Sequence, residues 1–216
     1  GVRGGCEAIV HTVKEALQAD PSLYLLQGDL VNAFNLAERD AAMSEVARLF
    51  PEILAWITTC YGRPSHLLFG VITILSERGF HQGDPLAGLL FALVLQPLVM
   101  KIKERVPGLA VNAWFLDDGS QVGTVQDLQS VVDILKEEGP ALGLILSTET
   151  TVPAPGRPKT TIWKTGGLQD ETDPLERGVV GVTKPGVILL GTPVGNDEFV
   201  REEVEKKVEK VREVSS

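Results

Sequence analysis

From Leu86 to Met100 the chain is apolar on nearly every side, broken only by Gln96 and Pro97. Spanning a bilayer takes about 20 consecutive apolar residues, and this run is shorter and interrupted. It carries no polar face until its last turn, so it predicts a helix over 86–105 that other elements must wrap on most sides. A fold that buries such a helix needs a sizeable body around it. The chain's 216 residues suffice for one good-sized domain, or a compact domain with a small appendage. A composition of 44% hydrophobic and 23% charged residues is ordinary for a soluble globular protein.

Around that helix the sequence alternates helical and extended signals. Ala8, Ile9, Val13, Ala16 and Leu17 recur at helical spacing over 6–19, ahead of Asp20-Pro21. Residues 23–28 read as a buried strand. Residues 36–49 and 51–61 read as helices, the second opened by Pro51. Two apolar runs around Phe69-Gly70 predict a hairpin over 66–76, and 78–85 a Gly-rich polar loop. Strands are expected at 110–116, 120–123, 143–146 and 187–190, and a helix at 125–138. The segment 152–158 must be a loop, and 166–178, Gly-rich and acidic, is expected to be mobile. Val200, Val204, Val208 and Val211 mark one face of a charged helix over 198–214 that serves as a docking face or a stub cut from a larger body. There is no Gly fingerprint of a nucleotide-binding parallel sheet. The expected class is α+β, an antiparallel sheet with helices packed on one face.

Chemistry concentrates at the strand ends. Phe115-Leu116-Asp117-Asp118 places two adjacent carboxylates at the end of an apolar run, and Asp29 closes the run from Leu23 to Gly28. Like charges this close repel, more so in a partly dry site, and a bound divalent cation relieves them. A turn of ordinary solvated Asp residues before Gly119 is the competing reading. His11, His66 and His81 are isolated, which argues against a His-based zinc site. Cys6 and Cys60 match no metal spacing and read as buried reduced thiols of an intracellular protein. The N-terminus lacks a signal-peptide layout and does not begin with Met, so the chain is expected to be a fragment or a processed piece. The net charge of −9 is the wrong sign for a protein that holds nucleic acid unaided.

Three elements occur in order: Gly28-Asp29-Leu30-Val31-Asn32-Ala33-Phe34-Asn35, then Arg78-Gly79-Phe80-His81-Gln82-Gly83-Asp84-Pro85-Leu86, then Phe115-Leu116-Asp117-Asp118. They resemble motifs A, B and C of reverse transcriptases, with Gln-Gly-Asp-Pro-Leu closest to the non-LTR retroelement and group II intron-like branch. Weaker likenesses to motifs D (142–147) and E (189–195) follow. The resemblance implies a polymerase palm with partial fingers over 1–195 and an amphipathic helix, the possible start of a thumb, over 196–216. It implies DNA synthesis from dNTPs on an RNA or DNA template-primer, with two Mg²⁺ (or Mn²⁺) ions. Asp29 and Asp117 would bridge the ions, helped by the Leu30 carbonyl, with Asp118 as the weaker ligand that tunes the field. Asn32 and Ala33 would sit near the triphosphate. Phe34 would be the aromatic gate under the sugar, which disfavours an RNA-dependent RNA polymerase. Gln82 and Gly83 would contact nucleotide and template, while Asp84 and Pro85 start the following helix.

The chain departs from the pattern at motif D, where Thr150 takes the place of a Lys; Lys159 and Lys164 are the spatial substitutes to test. Basic finger strands and a thumb are expected to belong to a parent chain, so this piece is expected to bind metal but to polymerise poorly alone. The rival reading is a degenerate or domesticated palm that serves as a non-catalytic binding or scaffold module.

Overall fold

The computed structural model describes residues 3–152 and 156–214, so positions 153–155 of the expected Pro-rich loop lie outside the described residues. In chain order the elements are α1 (Gly5–Ala19), β1 (Tyr24–Gly28), α2 (Ala33–Leu36), α3 (Arg39–Leu49), α4 (Leu54–Tyr61), β2 (Ser65–Phe69), β3 (Ile72–Ser76) and α5 (Ala87–Arg105). Then follow β4 (Val111–Phe115), β5 (Asp118–Gly123), α6 (Val125–Glu138), β6 (Thr161–Lys164), β7 (Val180–Gly181), β8 (Gly186–Leu189), β9 (Thr192–Gly195) and α7 (Asp197–Val214). The chain divides into two compact units.

The first unit comprises Gly1–Asp29, Gly108–Ser130 and Ser147–Ser216. Its centre is a five-stranded sheet in the order β4-β5-β1-β6-β7. Strand alternation puts Leu25, Val111, Val122 and Trp163 on one face, in register with one another. Val10, Val13 and Leu17 of α1 pack on that face together with Val187, Leu189 and Val194 of the β8–β9 hairpin. Leu26, Gln121 and Ile162 on the opposite face are also fully buried. α6 starts on a reciprocal cap: the Thr124 amide donates to the Asp127 carboxylate (3.2 Å) and the Asp127 amide to the Thr124 hydroxyl (3.2 Å). α7 opens with the Asn196 side chain accepting from the Phe199 amide (2.9 Å).

One expectation fails here. The sheet is mixed, because β6 and β7 pair in parallel, Thr161 beside Val180. The chain between them loops through 165–179 and re-enters in the same direction. That loop turns on Asp173. The Asp173 carboxylate accepts the amides of Leu175 (2.8 Å), Arg177 (2.6 Å), Gly178 (2.7 Å) and Val179 (3.1 Å), so one acidic side chain organises the segment.

The second unit comprises Leu30–Pro107 and Val131–Leu146. α5 packs against α3, and it buries Ala87, Leu90, Phe91, Leu93, Val94, Leu95, Leu98 and Ile102, more than half of its circumference. Leu89 and Met100 are exposed on the strip that stays open. The β2–β3 hairpin forms as expected, but as a separate two-stranded sheet. Residues 143–146 do not form a strand. Gly143 ends the short helical turn Gly139–Leu142 in the left-handed region, and the chain then makes a single bridge, Leu146 to Leu30. Cys6 is half-buried and Cys60 exposed, both as free thiols, against the expectation of burial.

Candidate active site

Asp29 and Asp118 stand at neighbouring strand ends of the first unit. Gly28 pairs with Gly119 across β1 and β5, so the residue after one and the residue before the other come side by side. Strand alternation points both along the face that carries Leu25 and Val122. There they line a pocket of about 380 Å³ with Gln27, Ser120, Lys159 and Thr161, closed on one side by Ile188 to Gly191 of the β8–β9 hairpin. The Gln27 side-chain amide donates to the Ile188 carbonyl (2.9 Å), tying the hairpin tip to β1.

The backbone of Asp29 is held by Ser147, at the end of the segment read as motif D, and by Thr160 beyond it. The Ser147 amide donates to the Asp29 carbonyl (2.8 Å), and the Asp29 amide to the Thr160 hydroxyl (3.3 Å). The Lys159 amide donates to the Ser147 hydroxyl (3.0 Å), which presents the Lys159 side chain to the pocket. Its ammonium lies 3.9 Å from an Asp29 oxygen. Of the residues considered as substitutes for the absent motif D Lys, Lys159 alone lines the pocket. Lys164 lies over the Tyr24 ring (5.6 Å), and the Thr150 hydroxyl pairs with that of Thr148 (3.1 Å).

Asp117 sits in the two-residue turn between β4 and β5, so the turn is Leu116-Asp117 and Asp118 already belongs to a strand. Leu116 has φ +56, a conformation that β-carbon sterics disfavour and that Gly commonly fills in such turns. The turn through Leu116 sets Asp117 between the two strand ends.

The electrostatics are those of a crowded acid site. Burial raises the Asp29 carboxyl above its ordinary value; Lys159 opposes that and Asp117 adds to it. Asp118 is exposed as a residue, yet its carboxyl is also raised, first by desolvation against the pocket, then by Asp117 and Asp29, with Lys159 opposing. All-oxygen donors with mutually destabilised charges suit a hard divalent cation. Among the described residues no three His, Cys, Asp or Glu side chains converge closely enough to cage an ion, so the donors fit in chemistry without forming a ready cluster.

The remaining predicted residues lie in the second unit. Asn32 is left-handed (φ 47, ψ 40) and its side chain accepts from Asn35 (2.6 Å), shaping the turn into α2. Ala33 is buried and Leu30 bridges to Leu146. Phe34 stacks on Phe91 of α5 (4.6 Å between centroids). The motif B loop is stitched to it: the Phe80 amide donates to the Phe34 carbonyl (2.7 Å) and the Gly79 amide to the Ala37 carbonyl (2.9 Å). A β-carbon at Gly79 would sit 2.3 Å from the Phe34 carbonyl oxygen, and φ is +68, so this position demands glycine twice over. Gln82 and Gly83 are exposed just beyond. Asp84 does not occupy the N-cap, which is Leu86. It acts two residues earlier, accepting from the Leu86 amide (2.8 Å) and the Tyr61 hydroxyl. Those bonds lower its carboxyl pKa, while burial pushes the Tyr61 hydroxyl up to about 12.

Arg39 escaped the sequence reading. It is 6% exposed and its guanidinium donates to the carbonyls of Gly79 (2.8 Å), Ser76 (2.9 Å) and Arg78 (3.1 Å) and to the Ser76 hydroxyl (2.9 Å). It also lies 5.2 Å from the centre of the Tyr61 ring. It holds the loop that presents Gln82 and Gly83. In sequence it is one of several charges in a helix start, and only its partners 37 to 40 residues away distinguish it.

No protein-family model matches the chain, and no curated protein matches it significantly. Solved structures do. Telomerase from Candida albicans in complex with a TWJ fragment of telomeric RNA superposes with a TM-score of 0.60 at 13% identity, over 92% of this chain and 33% of that one. Apo telomerase from Candida tropicalis gives 0.62 at 12% identity, over 90% and 34%. The fold is reverse-transcriptase-like. The chain spans about a third of the length of these telomerases. No helix of the described residues is long and apolar enough to cross a membrane.

Proposed function

We propose that this chain is the palm, with part of the fingers, of a reverse transcriptase of the non-LTR and group II intron-like kind, and that it serves templated DNA synthesis from dNTPs within its parent enzyme. The observation that carries this reading is the pocket shared by Asp29 and Asp118, both with raised carboxyls, in a reverse-transcriptase-like fold. Asp29, Asp118 and Asp117 would hold two divalent ions, with the Leu30 carbonyl beside them. Bound there, the ions supply charge for an attacking primer hydroxyl and a leaving pyrophosphate. Lys159 holds a proton at the pocket wall and is placed to give it to a departing anionic oxygen. Phe34 is fixed by Phe91, as a gate under the sugar must be. Gln82 and Gly83, on the loop braced by Arg39, meet nucleotide and template. The domain assignment follows: palm with partial fingers over 1–195, and α7 as the start of a thumb.

Primer extension tests this with the chain carried in a parent protein that has fingers and thumb. Activity that Asp29→Asn and Asp118→Asn both abolish supports the reading. Extension that survives both refutes it, and a chain that binds nucleic acid without extending it falls to the scaffold alternative.

A further inference from the structure

The β2–β3 hairpin is the most apolar exposed element of the molecule. No Asp, Glu, Lys or Arg occurs between Arg63 and Glu77, in a chain of net charge −9. Register sorts its side chains: Phe69 pairs with Ile72 and Leu67 with Ile74 on one face, while His66, Leu68, Thr73 and Leu75 share the other. The first face is apolar from Leu67–Ile74 outward, with the Ser65–Ser76 pair at its base, and Leu67 (46%), Phe69 (75%), Ile72 (57%) and Ile74 (51%) are all exposed, with Val71 fully exposed at the tip. These five expose roughly 600 Å², the upper end of what monomers commonly show in one patch. Both outer strand edges are unpaired, since among the described residues no third strand joins this sheet.

We propose that the Leu67–Phe69–Ile72–Ile74 face is a self-association surface that packs on the same face of a second copy of this chain across a two-fold axis. A self-complementary apolar face suits such an isologous contact. Two acidic chains repel each other least where they carry no charge, whereas a basic partner is drawn to the acidic surface elsewhere. Two such faces together with their Val71 tips bury at most about 1,200 Å², the lower bound of stable specific interfaces, so the dimer is weak, with Kd of roughly 10–100 μM. Salt strengthens it by screening the net repulsion.

Sedimentation velocity from about 1 μM to about 500 μM brackets that range. The wild-type chain should pass from monomer to dimer, at lower concentration in higher salt. Phe69→Asp should weaken association at least tenfold. Leu68→Asp, the same change on the opposite face of the same strand, and Val208→Asp on α7 should leave it near wild type. A monomer throughout, or a Phe69→Asp variant that dimerises like wild type, overturns the proposal. So does an equal loss in Leu68→Asp, which signals edge pairing or hairpin collapse, or dissociation by Val208→Asp alone.

Discussion

Replacing Arg39 with Met removes the brace of the motif B loop and keeps most of the side-chain volume. Four hydrogen bonds go with the guanidinium, three of them donated to backbone carbonyls. Bonds to a charged donor contribute about 1.5–3 kcal/mol each in isolation, and they are not additive. The cost of burying the guanidinium, several kcal/mol, vanishes with it. What remains is the desolvation of the orphaned acceptors, at about 1–3 kcal/mol each. Gly79 is buried and cannot recover water, whereas Arg78 is exposed and can. The net expectation is a loss of about 3 kcal/mol, which at a urea m-value of about 1.5 kcal/mol/M lowers the midpoint by about 2 M. Circular dichroism in urea reads the midpoint, and hydrogen exchange reads the site. The amides of Gly79 and Phe80, bonded to Ala37 and Phe34, should lose protection first. Arg39→Lys should recover little, because one ammonium cannot span carbonyls that a planar fork bridges. Arg48→Met, at an exposed pair with Glu45, should leave the midpoint unmoved. A loss below about 1 kcal/mol, or full recovery by Lys, would refute the brace.

The acid pocket yields further expectations. The raised carboxyl of Asp118 means that the native state binds its proton more tightly than the unfolded state does. The stability from that proton is complete below the ordinary carboxylate pKa and lost as pH rises through the raised one. Asp118→Asn should therefore be more stable than wild type at pH 7 in the absence of divalent ions, with the gain fading in acid; urea midpoints against pH read this. Leu116→Gly should relieve the positive-φ strain and stabilise the fold by about 1 kcal/mol, while loosening Asp117 and lowering any extension activity. Lys159→Ala should raise the Asp29 carboxyl pKa further, seen by NMR titration, and reduce primer extension by the parent enzyme at least about 10²-fold if Lys159 is the proton donor.

Much of this was legible because the chemistry is local. The apolar runs closed by Asp29 and by Asp117-Asp118 announce strand ends, and the hydrogen-bond register delivers Asp29 beside Asp118. The Gln82-Gly83-Asp84-Pro85-Leu86 string announces the loop before α5. What was hidden depends on distant partners. β6 is four residues long, beyond a loop, and becomes a strand by pairing with β1. Lys159 and Lys164 are equal candidates in sequence until Ser147 turns Lys159 toward Asp29. Arg39 acquires its role from carbonyls that no side-chain pattern records. Asp173 orders a segment whose composition alone suggests disorder, because one carboxylate can accept several amides.

The central claim is that the acidic strand ends bind divalent metal at one place. Mn²⁺ broadens nearby NMR signals, and the amides of Gly28, Gly119, Ser120 and Lys159 border the pocket. Substoichiometric Mn²⁺ should broaden these amides first in the wild-type chain and spare them in Asp29→Asn and Asp118→Asn. Broadening spread over the acidic surface of α7, or a pocket signal unchanged in both variants, would contradict the account.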